Sequence, residues 1–457
     1  MAPVFLKAQQ APARPNFLFL FPDQWRHDWT GFTKGLDVRL PHLERLAARG
    51  VRFENAIVAS PVCAPSRACL ASGREYDRCG VPSNGYDYPI AQTTYYQRLR
   101  DAGYHVLGCG KIDLHKKTQD WGLDGRRLVK EWGFSDAIDS AGKGDAIAST
   151  KGNGHPMDPF MAHLAKRGLL EAHLADFAKR SGAGSYGNTD PCPLPDADYG
   201  DTWVAENGIR LLRDAPEGRP WHLVVNFPGP HNPMDVTASM HRAVAGRDYP
   251  QPTRNTQRVP DEHIRIRQNY TAMVENIDKQ VGRLLGEVER RGETENTIVV
   301  FTSDHGEMLG DHNRWTKSVP YQPSVGVPMV IAGPGVKATR SSALVSHMDL
   351  AATFLDYARL PVPGDMDARS LRSLLEGRTN AHRATVNSGL GPWRMAWDGR
   401  YKLIRDFRVA ESEIDDADPT SRLLLFDLAD DPNETRNLAE KQPAVLERLR
   451  ASLPSAV

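Results

Sequence analysis

Four short apolar runs in this chain are each followed at once by polar or ionisable side chains. The runs lie at residues 16–21, 104–108, 222–227 and 297–301. Runs of this length, rich in β-branched and aromatic residues, are typical of strands buried on both faces of a parallel sheet. Residues 41–49 and 269–291 have the apolar periodicity of amphipathic helices. The alternation predicts an α/β fold with a large doubly wound mixed sheet flanked by helices.

The polar clusters that follow these runs are the first candidates for a functional site. In doubly wound sheets, ligands bind beyond the carboxyl ends of the strands. We therefore expect the four clusters to converge on one site. In chain order they contain Asp23 and Gln24; Lys111, Asp113 and His115; His231; and Asp304 and His305.

The pattern also predicts how the chain divides. We expect a flexible N-terminus over residues 1–14, a catalytic α/β domain over 15–375, and a small α+β subdomain over 380–457. The polar, Gly-rich and Pro-rich stretch at about 140–199 is typical of a long insertion with little core of its own. In the last segment, an Asp-Gly pair at 398–399 between apolar runs indicates a hairpin. A further strand at 423–427 and a helix at 443–453 follow.

Composition excludes some classes of protein. Lys plus Arg and Asp plus Glu both number 57, so the basic excess of a nucleic-acid-binding protein is absent. No run of about 18 apolar residues predicts a membrane span, and the first 15 residues lack the apolar centre of a signal peptide. The five cysteines form no paired framework. We therefore expect a cytoplasmic protein with reduced thiols; no pattern predicts its oligomeric state.

One cysteine lies in an unusual context. In the segment 61–74, Pro65 suits the first turn of a helix and Gly73 suits its end. Cys63 then lies near a helix N-terminus, where backbone N–H groups favour an anion. Arg67, one turn later, can pair with a tetrahedral oxyanion or orient neighbouring groups. Taken alone, Cys63 also fits the commoner role of a small buried core residue.

The same segment resembles the sulfatase signature C-x-P-S-R-x-x-x-L-x-G-R, with one extra residue before the glycine. Leu70, Gly73 and Arg74 match its later positions. The resemblance implies an alkaline phosphatase-like fold and oxidation of Cys63 to formylglycine by a formylglycine-generating enzyme. It covers nearly the whole chain, from Pro15 to about Asn437, in the order that the family has.

The resemblance also implies a divalent metal ion. Asp23, Gln24, Asp304 and His305 match the family's two metal-binding segments, and Cys63 lies beside the ion. Carboxylate and amide oxygens favour a hard cation, Ca²⁺ first and Mg²⁺ or Mn²⁺ next. His305 replaces the Asn of many relatives, and its nitrogen ligand shifts the preference toward Mn²⁺ or another transition-metal ion. Each Asp on its own also fits a helix cap or turn.

The remaining candidates follow from the same resemblance. Lys111 and Lys317 match lysines that contact the oxyanion, and His231 matches a histidine near the scissile oxygen. His231 or Lys317 would protonate the leaving alcohol. The segment departs from the common G-K-x-H, because Asp113 occupies the place of the histidine. Asp113 or His115 is then the base that releases sulfate, and His115 fits a surface residue equally well.

Three functions remain open at this stage. The first is a sulfatase that hydrolyses a small anionic sulfate monoester through a metal-bound formylglycine hydrate at Cys63. The second is a phosphonate monoester or phosphodiester hydrolase with the same nucleophile, because the Asp23-Gln24 pair occurs in both groups. The third is a protein that binds metal and anion without catalysis. The sequence does not indicate the natural substrate.

Overall fold

The computed structural model describes residues 14–181, 186–410, 412–415 and 422–454. The predicted flexible N-terminus lies outside these residues, apart from residue 14. The strands are β1 Asn16–Leu20, β2 Gly50–Ile57, β3 His105–Gly110, β4 Asp136–Asp139, β5 Trp221–Asn226, β6 Thr297–Thr302, β7 Met329–Ala332, β8 Thr339–Ser346, β9 Val386–Leu390, β10 Trp393–Trp397, β11 Tyr401–Arg405 and β12 Leu423–Asp427. The helices are α1 Pro41–Ala48, α2 Cys63–Ser72, α3 Tyr95–Asp101, α4 Lys143–Asn153, α5 Pro159–Lys166, α6 Leu170–Ser181, α7 Gly200–Arg213, α8 Ala238–Val244, α9 Pro260–Arg290, α10 Gln322–Val325, α11 Asp349–Tyr357, α12 Arg372–Leu375 and α13 Pro443–Arg450.

The large sheet has eight strands in the order β4-β3-β5-β1-β6-β7-β2-β8. The four predicted strands, β3, β5, β1 and β6, are adjacent and parallel. Their carboxyl ends therefore lie at one edge, as expected. Strand β7 runs antiparallel to both β6 and β2, which makes the sheet mixed. The predicted fold class, a mixed sheet flanked by helices, is confirmed.

Helices cover both faces of this sheet. Along β1, Phe17 and Phe19 pack in one hydrophobic cluster, while Leu18 and Leu20 pack in another. Every residue of β1 is buried, which explains why its sequence is apolar without alternation. Helix α9 begins at Pro260, nine residues before the predicted start. A proline in the first helical turn has a fixed backbone angle suited to it, and the sequence pattern did not reveal this start.

The stretch at 140–199 is more regular than expected. It contains α4, α5 and α6, which were not predicted. Met161 and Leu164 of α5 are fully buried in the same hydrophobic cluster as Leu18. The stretch therefore contributes to the core of the main sheet, and this explains how short, weakly periodic helices are stable there.

The C-terminal segment forms a four-stranded antiparallel sheet in the order β12-β11-β10-β9. The predicted hairpin is β10 and β11, and Gly399 between them has φ 96°. Trp393 and Met395 of this sheet share a hydrophobic cluster with Ile57 and Met308 of the main body. The smaller predicted sheet is thus present and packs directly on the large one. Within the described residues, no helix combines the length and apolar character that a bilayer crossing requires.

Candidate active site

Four buried side chains meet at the carboxyl edge of the parallel strands. Asp23 follows β1, Asp304 and His305 follow β6, and Cys63 is the first residue of α2. One ligand atom from each of these residues lies within 4.8 Å of the ligand atoms of the other three. All four residues are buried. The sequence clusters that follow β1 and β6 therefore do come together.

The geometry of this cluster fits one cation. Ca²⁺ binds oxygen at about 2.3–2.6 Å, so opposite ligands around it lie about 4.6–5.2 Å apart. The His305 Nδ1–H donates to the Gly306 carbonyl at 3.0 Å. In the neutral ring Nε2 then keeps a lone pair, and this atom lies 3.3 Å from the Cys63 sulfur. This fixed tautomer is the arrangement that metal-binding histidines usually have.

Helix α2 presents Cys63 to the cluster because of its two ends. Val62 before it is extended, and Gly73 after it takes the left-handed angle φ 67° that ends the helix. All ten residues of α2 are buried. The backbone N–H of Ala64 in the first turn donates to the Asn84 side-chain oxygen at 3.0 Å. Asn84 is a site neighbour that the sequence pattern did not reveal.

Gln24 contacts both Asp304 of the cluster and Lys317, which lies on the partly exposed side of the site. Its backbone has φ 68°, and its N–H donates to Asp304 Oδ1 at 3.0 Å. Its side-chain Nε2 donates to Asn232 Oδ1 at 3.1 Å and to Glu307 Oε2. Its Oε1 accepts a hydrogen bond of 2.5 Å from Lys317 Nζ. The amide oxygen therefore faces Lys317, and the amide nitrogen faces Asn232 and Glu307.

Arg67 orients the carboxylates instead of facing the open side. Its guanidinium lies 3.0 Å from Asp304 Oδ2 and 3.3 Å from Asp23 Oδ2. It also donates to the Lys111 carbonyl at 2.5 Å and to Asn226 Oδ1 at 3.0 Å. Of the two roles open from the sequence, these contacts match the second. A role of Arg67 beside the sulfuryl oxygens or the nucleophile stays a prediction.

Lys111 and Asp113 extend the site toward β4. Lys111 Nζ donates to Asp23 Oδ2 and lies 3.5 Å from Asp113 Oδ2. Asp113 also accepts a hydrogen bond of 3.0 Å from Lys116, which pairs with Asp145 as well. Both Lys111 and Asp113 are buried. Asp113 is therefore linked directly to a lysine of the central cluster.

His115 is placed differently. It is fully buried, so the alternative that it lies on the surface was wrong. Its ring stacks on Trp132 at 5.0 Å, and its Nε2 lies 3.7 Å from Asp139. Among the described residues its nitrogens have no hydrogen-bond partner. Burial lowers the pKa of His115 to about 4, so the ring is neutral at pH 7.

His231 and Lys317 form the partly exposed side of the site. Lys317 Nζ donates to His231 Nε2 at 2.5 Å. The His231 Nδ1–H donates to the Asn232 carbonyl at 2.6 Å, which leaves Nε2 as the acceptor. Burial, and then the charge of Lys317, holds the pKa of His231 well below its usual value. Lys317 and His231 thus share a hydrogen bond between their side-chain nitrogens on the partly exposed side of the site.

The charges around the cluster are unevenly balanced. Burial would raise the pKa of Asp23, but Lys111 and other cations outweigh it and hold this pKa well below the usual range. Burial and the charge of Asp23 raise the pKa of Asp304. Burial and Asp23 oppose ionisation of Cys63, yet Lys111 and Lys317 lower the pKa of this thiol well below its usual value. The site therefore favours a negative group at position 63.

Further contacts connect α2 with the segment that follows β6, and that segment with Gln24. The Ser66 hydroxyl of α2 donates to the Asp304 carbonyl and lies 2.9 Å from His347 Nε2. Glu307 is fully buried and contacts Gln24. The sequence pattern did not single out Ser66 or Glu307 as site residues, because their partners lie more than 200 positions away.

Known proteins resemble this chain over most of its length. Residues 15–360 match the sulfatase family model, and residues 310–455 match the C-terminal model of N-sulphoglucosamine sulphohydrolase. An arylsulfatase of Clostridium perfringens is 25% identical, over 94% of this chain and 91% of its own. The phosphonate monoester hydrolase of Agrobacterium radiobacter superposes with a TM-score of 0.77 at 22% identity, over 96% of each chain.

A further solved structure holds a protein in complex with its substrate D-glucosamine-2-N,6-O-disulfate. It superposes with a TM-score of 0.73 at 19% identity, over 96% of this chain and 97% of the other. At these identities the superpositions show the shared fold. The sulfatase model itself spans more than half of the sequence. This chain therefore belongs to the sulfatase family and is a sulfuric ester hydrolase.

Proposed function

We propose that this sulfatase hydrolyses its sulfate monoester with a formylglycine formed from Cys63 beside one divalent cation. One observation supports this most directly. The Cys63 sulfur lies 3.3 Å from His305 Nε2, within the group of Asp23, Cys63, Asp304 and His305 whose ligand atoms lie within 4.8 Å of one another. A nucleophile at position 63 is thereby adjacent to a cation-binding set.

The residues of the chain have separate roles in this proposal. Asp23, Asp304, His305 and the Gln24 amide oxygen hold the cation, which supplies stabilisation of developing negative charge. A formylglycine hydrate at position 63 supplies the oxygen that attacks sulfur. Arg67 positions Asp23 and Asp304.

The flanking cations hold the substrate and move protons. Lys111 keeps its positive charge beside Asp23, because burial is outweighed by Asp113 and Asp23, which raise its pKa well above the usual value. Lys317, on the open side, donates to His231 Nε2 at 2.5 Å and is placed to pass a proton to the leaving alcohol. Asp113 contacts Lys111 and is the candidate base that releases the sulfate.

The first test is the mass of the tryptic peptide 53–67 from protein made in its native host. The proposal expects formylglycine in place of Cys63, and an unmodified cysteine would contradict it. The Cys63→Ala variant should lose turnover and keep its circular dichroism spectrum. Cys69→Ala, on the same buried helix, is the matched control and should retain turnover.

The second test is a panel of matched aryl sulfate and aryl phosphonate esters, with glucosamine sulfates added. Turnover of the sulfates above the phosphonates is expected. Faster turnover of the phosphonates would favour the phosphonate monoester hydrolase alternative. No turnover of either by matured protein loaded with Ca²⁺ or Mn²⁺ would favour binding without catalysis. Glucosamine sulfates are included because a protein of the same fold has D-glucosamine-2-N,6-O-disulfate as its substrate.

A further inference from the structure

Glu307 is a buried carboxylate that the proposed chemistry does not use. It follows β6 by five residues and is fully buried. Its Oε1 accepts backbone N–H groups from Leu309 at 2.9 Å and Thr316 at 2.8 Å. Backbone N–H groups can only donate, so this oxygen is held as an acceptor in a fixed place.

The second oxygen of Glu307 faces the site. Oε2 accepts a hydrogen bond of 2.7 Å from the Tyr186 hydroxyl and another from Gln24 Nε2. The remaining hydrogen of Gln24 Nε2 goes to Asn232 Oδ1 at 3.1 Å. Both hydrogens of the amide nitrogen are therefore directed at acceptors, Glu307 Oε2 and Asn232 Oδ1.

This arrangement determines which end of the Gln24 amide faces Lys317. An amide has a donor end and an acceptor end, and only the oxygen can bind a hard cation or accept from Lys317. The observed Oε1 accepts from Lys317 Nζ at 2.5 Å. Rotation of the amide by half a turn would direct N–H groups at the cation and at the ammonium of Lys317. Hydrogen bonds from outer residues commonly orient metal ligands in this way.

We propose that Glu307 is a positioning residue that keeps the Gln24 amide oxygen directed toward the metal ion. The inference rests on the proposed function, because it takes Gln24 as a ligand of the cation. It explains how an amide at position 24 is held in one orientation, which a carboxylate with two acceptor oxygens would not need.

The Glu307→Gln variant tests this inference. Its amide oxygen is expected to stay with the two backbone N–H groups, which places its NH₂ against Gln24. The Gln24 amide then turns, and its oxygen leaves the cation. We expect the calcium Kd, measured by titration calorimetry on chelator-treated protein, to rise about 10- to 100-fold. Tyr186→Phe removes one donor to the same carboxylate but leaves the Gln24 orientation, so its Kd should stay within about threefold of the parent.

A charge exchange provides the decisive comparison. The double variant Gln24→Glu, Glu307→Gln exchanges the amide and the carboxylate, so the net charge of the two side chains is unchanged. Both side-chain oxygens at position 24 can then accept hydrogen bonds or bind the cation. This double variant should recover calcium binding to within about threefold of the parent, which a loss of packing alone would not allow. If Glu307→Gln does not fold, Glu307→Asp takes its place: its shorter carboxylate loses the contact with Gln24, and the calcium Kd should rise in the same direction.

Failure of the positioning role and failure of the proposed function give different results. A parent-like calcium Kd in Glu307→Gln, or an equal loss in the single and double variants, would overturn the positioning role. The calcium Kd is measured in the absence of substrate, so these results do not depend on which ester the protein hydrolyses. A parent protein that binds calcium as expected but hydrolyses no sulfate ester would instead refute the proposed function.

Discussion

Replacing Arg67 with methionine tests how the chain balances the charge of its buried carboxylates. The Arg67 guanidinium is 3% exposed and contacts both Asp304, at 3.0 Å, and Asp23, at 3.3 Å. Burial alone would lower the pKa of Arg67, but these two carboxylates raise it above its usual value, so the side chain stays charged. Met is unbranched and uncharged, and its side chain can fill the space of the aliphatic part of Arg67. Arg67→Met therefore removes the cation with little change in volume.

The expected loss of stability is large. Removing one partner of a buried ion pair costs about 3–5 kcal/mol, because the other charge stays buried and unpaired. The Lys111 carbonyl and Asn226 Oδ1 also lose their donor. Lys111 and His305 remain near the carboxylates and limit the loss, so we expect about 3–5 kcal/mol in total. With a urea m-value of about 3 kcal/mol per molar, the unfolding midpoint falls by about 1–2 M.

The assay is urea unfolding followed by circular dichroism, once with chelator and once with saturating calcium. Calcium supplies positive charge to the same carboxylates, so the loss caused by Arg67→Met should be smaller when calcium is present. Arg283→Met is the control, since Arg283 forms a partly exposed pair with Glu206. Exposed pairs contribute about 0–1 kcal/mol, and this variant should unfold close to the parent.

Two results would refute the reasoning. An Arg67→Met protein that unfolds at the parent's urea concentration in chelator would show that the carboxylates do not depend on this guanidinium. An equal loss with and without calcium would show that Arg67 acts through packing, and that its charge is not what the cation replaces.

Three further predictions concern single side chains. If Asp113 is the base, Asp113→Asn should lower kcat about 10²- to 10⁴-fold. His115→Asn removes a neutral ring stacked on Trp132 and should lower kcat much less. A larger loss in His115→Asn than in Asp113→Asn would assign the role to His115. His231→Gln should slow an alkyl sulfate far more than 4-nitrophenyl sulfate, because only the alkoxide needs a proton on leaving; equal losses would exclude a role in leaving-group protonation. Burial lowers the pKa of His222 to about 3, so this histidine alone should reduce the stability by about 2.5 kcal/mol between pH 7 and pH 4.5, as the unfolded chain takes up the proton. His222→Leu should reduce the slope of stability against pH by this amount, and an unchanged slope would contradict the assignment.

Local signals were sufficient to predict the strands that carry the site. Strand β1 is apolar from Phe17 to Leu20 because both its faces are buried, and its central place in the sheet explains that composition. Gly73 predicted the end of α2 because a left-handed residue without a β-carbon suits that position. These predictions needed only neighbouring residues.

Contacts between distant segments could not be predicted in this way. Arg67 fitted two roles in the sequence, and its contacts with Asp23 and Asp304 join segments that lie far apart in the chain. His115 fitted the surface equally well, because Trp132, on which it stacks, lies 17 positions later in the sequence without a periodic relation to it. Glu307 became visible as a site residue only once its hydrogen bond to Gln24 was known.

The complete burial of α2 has a consequence for how this segment tolerates mutation. Ala64, Ala68 and Ala71 are each at most 2% exposed, and most other residues of the helix are also small. Added methylene groups in a close-packed interior typically cost about 1–3 kcal/mol each time. Saturation mutagenesis of these three alanines should therefore accept little beyond glycine, serine and cysteine, even though none of them has a part in the chemistry. The sequence of α2 is therefore restricted by close packing as well as by the reaction. A variant library that seeks new substrates should leave α2 unchanged and vary partly exposed residues near His231 and Lys317 instead.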